Sequence, residues 1–173
     1  MRYMTDLQRN LNGLIVLVIC GVLLSAYGVE FFWHEVPCPL CMLQRLCMIS
    51  AAIGCLLNLC YGIKMPHYGL TLLSCLAGGT VALRQISLHA CPGFPEFGFP
   101  VLGLSLYTWS FVVFACTVLA VSLLLFLYSP QQEEEQPSRF STFGKFVFGL
   151  LFSVTLANAI TTFLHCGLGP CQE

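Results

Sequence analysis

Apolar positions gather into five long runs separated by short polar or Gly/Pro-rich stretches. The first, Leu14 to Trp33, is twenty residues long, and Glu30 near its far end is its only charge. It is too long for the core of a secretory signal and no small-x-small cleavage pattern follows, so it is expected to stay as an anchor. The second run, Leu40 to Tyr61, contains one charge, Arg45. Gly62-Ile63-Lys64-Met65-Pro66 forms a tight polar turn into the third run, Tyr68 to Leu88, which carries Arg84 late. Cys91 to Pro100 is rich in Pro and Gly and breaks any helix. The fourth run, Leu102 to Tyr128, leads into a solvated connector, Ser129 to Thr142, holding Glu133-Glu134-Glu135, two prolines and Arg139. The last run, Phe143 to His165, is apolar but carries Ser153, Thr155, Asn158, Thr161 and Thr162. A bilayer crossing takes about 20 mostly apolar residues. The pattern therefore predicts an all-α membrane protein with transmembrane helices over 14–33, 40–61, 68–88, 102–128 and 143–165, in one membrane domain spanning 1–173.

Composition supports the same class. The chain is 57% hydrophobic and 9% charged, whereas soluble domains carry about 25% charged and ~45–50% apolar residues. A soluble domain, a disordered tail and a nucleic-acid binder are excluded, and a net charge of −1 offers no field for polyanions. Charge does set direction. Arg2, Arg9, Lys64, Arg139 and Lys145 fall on one side of the predicted membrane. The loops 34–39 and 89–101 and the tail after His165 carry no Lys or Arg, only Glu35, Glu96 and Glu173. By the positive-inside rule the amino terminus is expected in the cytoplasm and the tail outside.

That orientation sorts the eleven cysteines. Cys20, Cys47, Cys55, Cys60, Cys75 and Cys116 lie in or near the ends of apolar runs, where Cys is a small, easily buried hydrophobe. Cys38, Cys41, Cys91, Cys166 and Cys171 all fall at the external face. On a bacterial inner membrane that face is oxidising, so disulfides persist there.

The densest chemistry is Pro37-Cys38-Pro39-Leu40-Cys41-Met42-Leu43-Gln44-Arg45, at the head of the second run. A Cys-x-x-Cys pair at a helix start puts two thiols within bonding reach. The free N–H groups and positive dipole end there favour a thiolate. Arg45 lies one turn beyond Cys41 on the same face. A charge just inside the apolar layer is costly and by default functional. It suits a thiolate, or the negative charge that builds on an electron acceptor. The plainer readings are a static disulfide with Arg45 snorkelling to headgroups, or a zinc site. For zinc, His34 and His89 supply no familiar spacing, so no metal is expected. When a dithiol becomes a disulfide two electrons must leave, and neither a Gly-x-Gly-x-x-Gly element nor a Cys-x-x-Cys-His haem attachment is present to take them. A lipid-soluble quinone entering from the bilayer needs no such motif.

In this order the residues resemble the DsbB family, inner-membrane quinone reductases that generate disulfides. The resemblance rests on Cys38-Pro39-Leu40-Cys41 with Arg45, Arg84-Gln85, Cys91-Pro92-Gly93, and Leu102-Gly103-Leu104-Ser105 through Trp109, and covers about residues 14 to 128. It implies a four-helix transmembrane bundle around a quinone site near the external surface, with the fifth helix added to it. Cys38–Cys41 would be the quinone-coupled disulfide, Arg45 would lie beside the ring, and Arg84 and Gln85 would lie near the same pocket. Family members often have His where Gln85 stands.

One departure bears on mechanism. The family carries two cysteines in its second external loop, and this chain has Cys91 alone there. Its fifth run instead returns Cys166-Gly167-Leu168-Gly169-Pro170-Cys171 to the same side. Either a tail cysteine replaces the missing loop partner of Cys91, on a pliable Gly/Pro backbone, or Cys166 and Cys171 bond to each other. The expected route runs from a periplasmic DsbA-like thioredoxin-fold protein through the Cys91 pair to Cys38–Cys41 and on to ubiquinone or menaquinone. Two rivals stand beside it. A vitamin-K-epoxide-reductase-like bundle carries its motif in its last helices, not at the second span. A disulfide-stapled assembly factor or transporter subunit would give Arg45 no task, and a transporter is expected to show repeats or several intramembrane charges.

Overall fold

The structure is a computed structural model that describes residues 2–33, 38–90, 103–129 and 141–167. They form five helices: α1 (Arg2–Trp33), α2 (Pro39–Tyr61), α3 (Met65–Ala90), α4 (Leu106–Phe126) and α5 (Thr142–Cys166). Each contains an apolar segment long enough to cross a bilayer. The chain is an all-α, multi-pass membrane protein, as its hydrophobic pattern predicts.

Helix starts follow from local chemistry. Pro39, whose fixed φ and missing N–H suit a first helical position, opens α2. The Ser141 hydroxyl accepts from the Gly144 N–H to open α5. Two boundaries differ from the expected spans. α1 begins at Arg2 rather than near 14, because the polar residues ahead of the apolar run find partners inside the protein. Gln8 and Asn12 are fully buried. Gln8 Nε2 donates to the Leu127 carbonyl at 2.8 Å, and Asn12 Nδ2 to the Tyr68 hydroxyl at 2.9 Å. α4 begins at Leu106 rather than Leu102, because Gly103 takes a left-handed φ of 79° and Ser105 is extended at the N-cap.

α2 packs along α3 and α1, and α3 along α4, while α1 and α4 meet more lightly; these four make a bundle, with α5 outside it against α1 and α2. Half of the apolar segment of α2 is buried within the protein, against 17% for α5. α2 is thus the central element and α5 mostly faces lipid. Side chains such as Leu73, Leu119, Leu123 and Phe152 are exposed, which costs nothing where the solvent is hydrocarbon. Close approach depends on small residues. A side chain at Gly54 would collide with Thr71 and with the His67 carbonyl of α3, and one at Gly78 would collide with the Phe114 ring of α4.

Contacts along the helices fix their directions. Phe143 packs over Gly13 at one end, and Asn158 meets Tyr27 at the other, so α5 runs parallel to α1. The Lys64 end is closed by a polar cluster. Asn58 Oδ1 accepts from the Lys64 N–H at 3.0 Å and lies 3.0 Å from His67 Nδ1, while Asn58 Nδ2 donates to Asn12 Oδ1 at 3.3 Å. The opposite end gathers the start of α2, the ends of α1 and α3, and the backbone of Cys166 closing α5. Of the cysteines assigned to apolar runs, Cys20, Cys55, Cys60 and Cys75 are buried, Cys47 is half-buried and Cys116 is exposed.

Candidate functional site

At that end Cys38 is the N-cap of α2, extended at φ −70° and ψ 156°. Its sulfur accepts from the Cys41 backbone N–H at 3.3 Å, so it occupies the place of a capping oxygen. One turn on, the Cys41 side chain returns to the same spot, and the two sulfurs stand 2.8 Å apart. The Cys38 thiol is held down to about 6. The main cause is the hydrogen bond from the Cys41 thiol, followed by the backbone N–H groups of Cys41 and Leu40 and the Gln85 amide; partial burial works against them. An electropositive, partly exposed helix start is where a nucleophilic cysteine is expected.

Gln85, on α3, is 1% exposed and lies against both sulfurs. Its Nε2 donates to Cys38 Sγ at 3.3 Å and to Cys41 Sγ at 3.4 Å, while its Oε1 accepts from Gln44 Nε2 at 2.6 Å. One turn later His89 Nδ1 lies 2.9 Å from the Gln85 carbonyl, and its ring stacks on Tyr107 of α4 at 5.0 Å. The cysteine pair therefore sits against α3, which is braced in turn on α4 through His89.

Arg45, one turn on from Cys41, faces α1 rather than Gln85. Its Nη1 pairs with Glu30 Oε2 of α1 at 2.7 Å, both side chains being nearly buried. The guanidinium carbon sits 4.8 Å from the centre of the Tyr27 ring. The Tyr27 hydroxyl donates to Asn158 Oδ1 of α5 at 2.9 Å. Beside this group a largely apolar cavity of about 300 Å³ opens between α1, α2 and α4. Cys41, Gln44 and Arg45, with Ser25 and Ser110, supply its polar wall, and Val29, Trp109 and Val113 are among its apolar one.

The structure thus brings together Cys38, Cys41 and Arg45, as the motif spacing predicts. Gln85 joins them on the sulfurs rather than on the cavity wall. Arg84 does not join: it is exposed and lines no part of the cavity. The reason is helical rotation, since successive residues point about 100° apart and only one of two neighbours can face the sulfurs. Cys91 and Cys171 lie outside the described residues, as does any pairing of Cys91 with Cys166 or Cys171 or of the tail cysteines with each other. Three residues carried no assigned role in the sequence: Glu30, Tyr27 and Gln44. Glu30 had a signal, as the one charge in the first apolar run. Gln44 was visible only as part of the motif, and Tyr27 only as an aromatic among many.

A family model described as Disulfide bond formation protein DsbB matches residues 8–96, a segment that includes Cys38, Cys41, Arg45, Gln85 and Cys91 but neither α4 nor α5. Disulfide bond formation protein B of an Azoarcus species is 30% identical, the match covering 71% of this chain and 97% of that protein. Disulfide bond formation protein B 2 of Burkholderia lata is 29% identical, covering 56% of this chain and 76% of the relative. Disulfide bond formation protein B of Marinobacter nauticus is 36% identical, covering 49% and 53%. No solved structure gives a significant match.

Proposed function

The chain belongs to the DsbB family of membrane disulfide-forming oxidoreductases, and from that premise we propose that it carries electrons from an external dithiol protein to membrane quinone. The donor is a DsbA-like thioredoxin-fold protein. The observation that carries the reading is the Cys38–Cys41 pair, sulfurs 2.8 Å apart, with Cys41 on the wall of an apolar cavity that also holds Arg45.

The residues present suit a quinone. The cavity is at the lower end of the ligand-pocket range, about 300–1,000 Å³, mostly apolar with a few convergent polar groups. Arg45, Gln44 and Cys41 would hold the ring, ubiquinone or menaquinone alike, because both present similar oxygens. A quinone bound there supplies a two-electron, two-proton acceptor. The protein's own part is thiol chemistry. A thiolate of the donor attacks a disulfide made by Cys91 with a tail cysteine, Cys166 or Cys171, and a mixed disulfide forms. The donor's second thiol resolves it, so the donor leaves oxidised and the pair is left as two thiols. That pair reduces Cys38–Cys41 by the same exchange. The Cys41 thiol, the backbone N–H groups at the start of α2 and Gln85 hold Cys38 as a thiolate, and Arg45 offsets negative charge that develops in the cavity.

Family membership supports a bacterial inner-membrane location, and the Lys and Arg distribution supports an orientation with the amino terminus and Lys64 cytoplasmic and the Cys38 end periplasmic. Purified protein tests the reading. It is expected to carry extractable quinone and to oxidise a reduced thioredoxin-fold dithiol protein with quinone as acceptor, and Cys38→Ser and Cys41→Ser to abolish turnover while the protein still inserts. Undiminished turnover in either variant, or oxidation that needs no quinone, refutes it.

A further inference from the structure

The fifth helix lies outside the segment matched by the family model, yet it reaches the charged side of the site. Its hydroxyl residues mostly satisfy themselves: Ser153, Thr155 and Thr161 donate to the carbonyls of Gly149, Leu151 and Ala157 in their own helix. Asn158 does something else. It is 9% exposed, and its Oδ1 accepts the Tyr27 hydroxyl of α1 at 2.9 Å. The Tyr27 ring in turn lies 4.8 Å from the Arg45 guanidinium carbon, whose edge is held by Glu30 at 2.7 Å. Ala26 and Val29, on either side of Tyr27 in sequence, line the cavity that Arg45 also lines. A continuous chain of contacts therefore runs from the outer helix to the cavity wall.

We propose that Asn158 is a positioning residue for the quinone site, acting through Tyr27 on Arg45. The inference rests on the reading of the cavity as the quinone site. The Tyr27 hydroxyl is held by Asn158, with Thr161 of the same helix and Arg45 also in hydrogen-bonding contact with it, so α5 fixes where the ring lies. The attraction of a guanidinium to a ring depends on where the ring centre is. Arg45 is long and flexible; with its edge on Glu30 and its face on an anchored ring it is held in one orientation before any acceptor arrives. Pre-organisation of this kind acts on acceptor binding more than on the thiol exchange that precedes it.

The test uses the full chain in lipid, a short-chain ubiquinone analogue, and a constant supply of reduced thioredoxin-fold dithiol protein, with quinone consumption followed by absorbance. Tyr27→Phe keeps the ring and removes only the hydroxyl. It and Asn158→Leu are each expected to raise the quinone KM about fivefold, the factor of one ordinary hydrogen bond, while kcat changes less than twofold. Asn158→Asp, which retains an acceptor oxygen, is expected to recover most of the loss. Because Asn158 acts only through the Tyr27 hydroxyl, the double variant is expected to be no worse than Tyr27→Phe alone. A multiplied effect in the double variant, or unchanged KM in both single variants, overturns the proposal. If Asn158→Leu fails to accumulate, Asn158→Ala takes its place. Arg45→Ala is the reference: it must raise the quinone KM. If it does not, the cavity reading itself has failed; if it does while Tyr27→Phe stays at the wild-type value, the Asn158 proposal alone has failed.

Discussion

Replacing Cys41 by alanine in the reduced protein removes the main support of the Cys38 thiolate. That sulfur is held down to about 6 chiefly by the Cys41 thiol, with smaller contributions from the backbone N–H groups and Gln85. A hydrogen bond to a charged group contributes about 1.5–3 kcal/mol, and one pKa unit corresponds to about 1.4 kcal/mol. One lost donor is therefore equivalent to about one to two units. Cys38 is only half-buried, so water replaces part of what is lost and the lower end applies. Cys38 is expected to titrate near 7 in Cys41→Ala, and the two backbone donors keep it below an ordinary cysteine at about 8.5. At pH 6 the thiolate share falls from about half to about a tenth, and alkylation slows about fivefold. Gln85→Leu is expected to shift the midpoint in the same direction by less. The assay is site-resolved mass spectrometry of the reduced protein after brief iodoacetamide labelling across a pH series. A wild-type midpoint in the ordinary cysteine range, or a midpoint that Cys41→Ala leaves in place, refutes the reasoning. The same depression has a thermodynamic counterpart. Because the native value lies below the unfolded one, the stability that Cys38 ionisation adds to the reduced protein is fully present above the unfolded range. It is lost as pH falls through about 6.

Two further outcomes concern the scaffold and the tail. Gly54→Val forces a side chain into Thr71 and the His67 carbonyl, and is expected to lower stability by about 1–3 kcal/mol; Gly69→Ala, where a Cβ meets nothing within 4 Å, is the control, and equal thermal midpoints for the two would refute the close-approach argument. Removing residues 166–173 is expected to block electron entry from the dithiol protein while reduced Cys38–Cys41 is still reoxidised by quinone; an undiminished rate of partner oxidation would show that no tail cysteine stands in for the missing loop thiol.

Much of the fold was legible because a membrane crossing is a local property. Twenty apolar residues declare a span whatever surrounds them, and five such runs became five helices. The boundaries differed where a tertiary partner or the local backbone conformation changed the balance. Gln8 and Asn12 read as the polar end of a span, yet α1 continues through them because the Leu127 carbonyl accepts from Gln8 Nε2 and the Tyr68 hydroxyl from Asn12 Nδ2. Gly103 and Ser105 postpone α4 by backbone conformation that an apolar count does not register. The Cys-x-x-Cys pair and Arg45 were visible for a similar reason, since about one helical turn relates each to the next.

What the sequence determined by itself is therefore everything set by spacing along one helix: the crossings, the paired thiols at the head of α2, and the buried cation one turn below them. What only the tertiary structure decided is everything set by the rotation of one helix against another. It turned Gln85 rather than Arg84 toward the sulfurs, gave Arg45 to Glu30 and Tyr27, and brought Asn158 of α5 onto Tyr27. Those contacts join residues from as few as 15 to as many as 131 positions apart, and their partners are chosen by side-chain packing between helices, which no periodicity within a single run encodes.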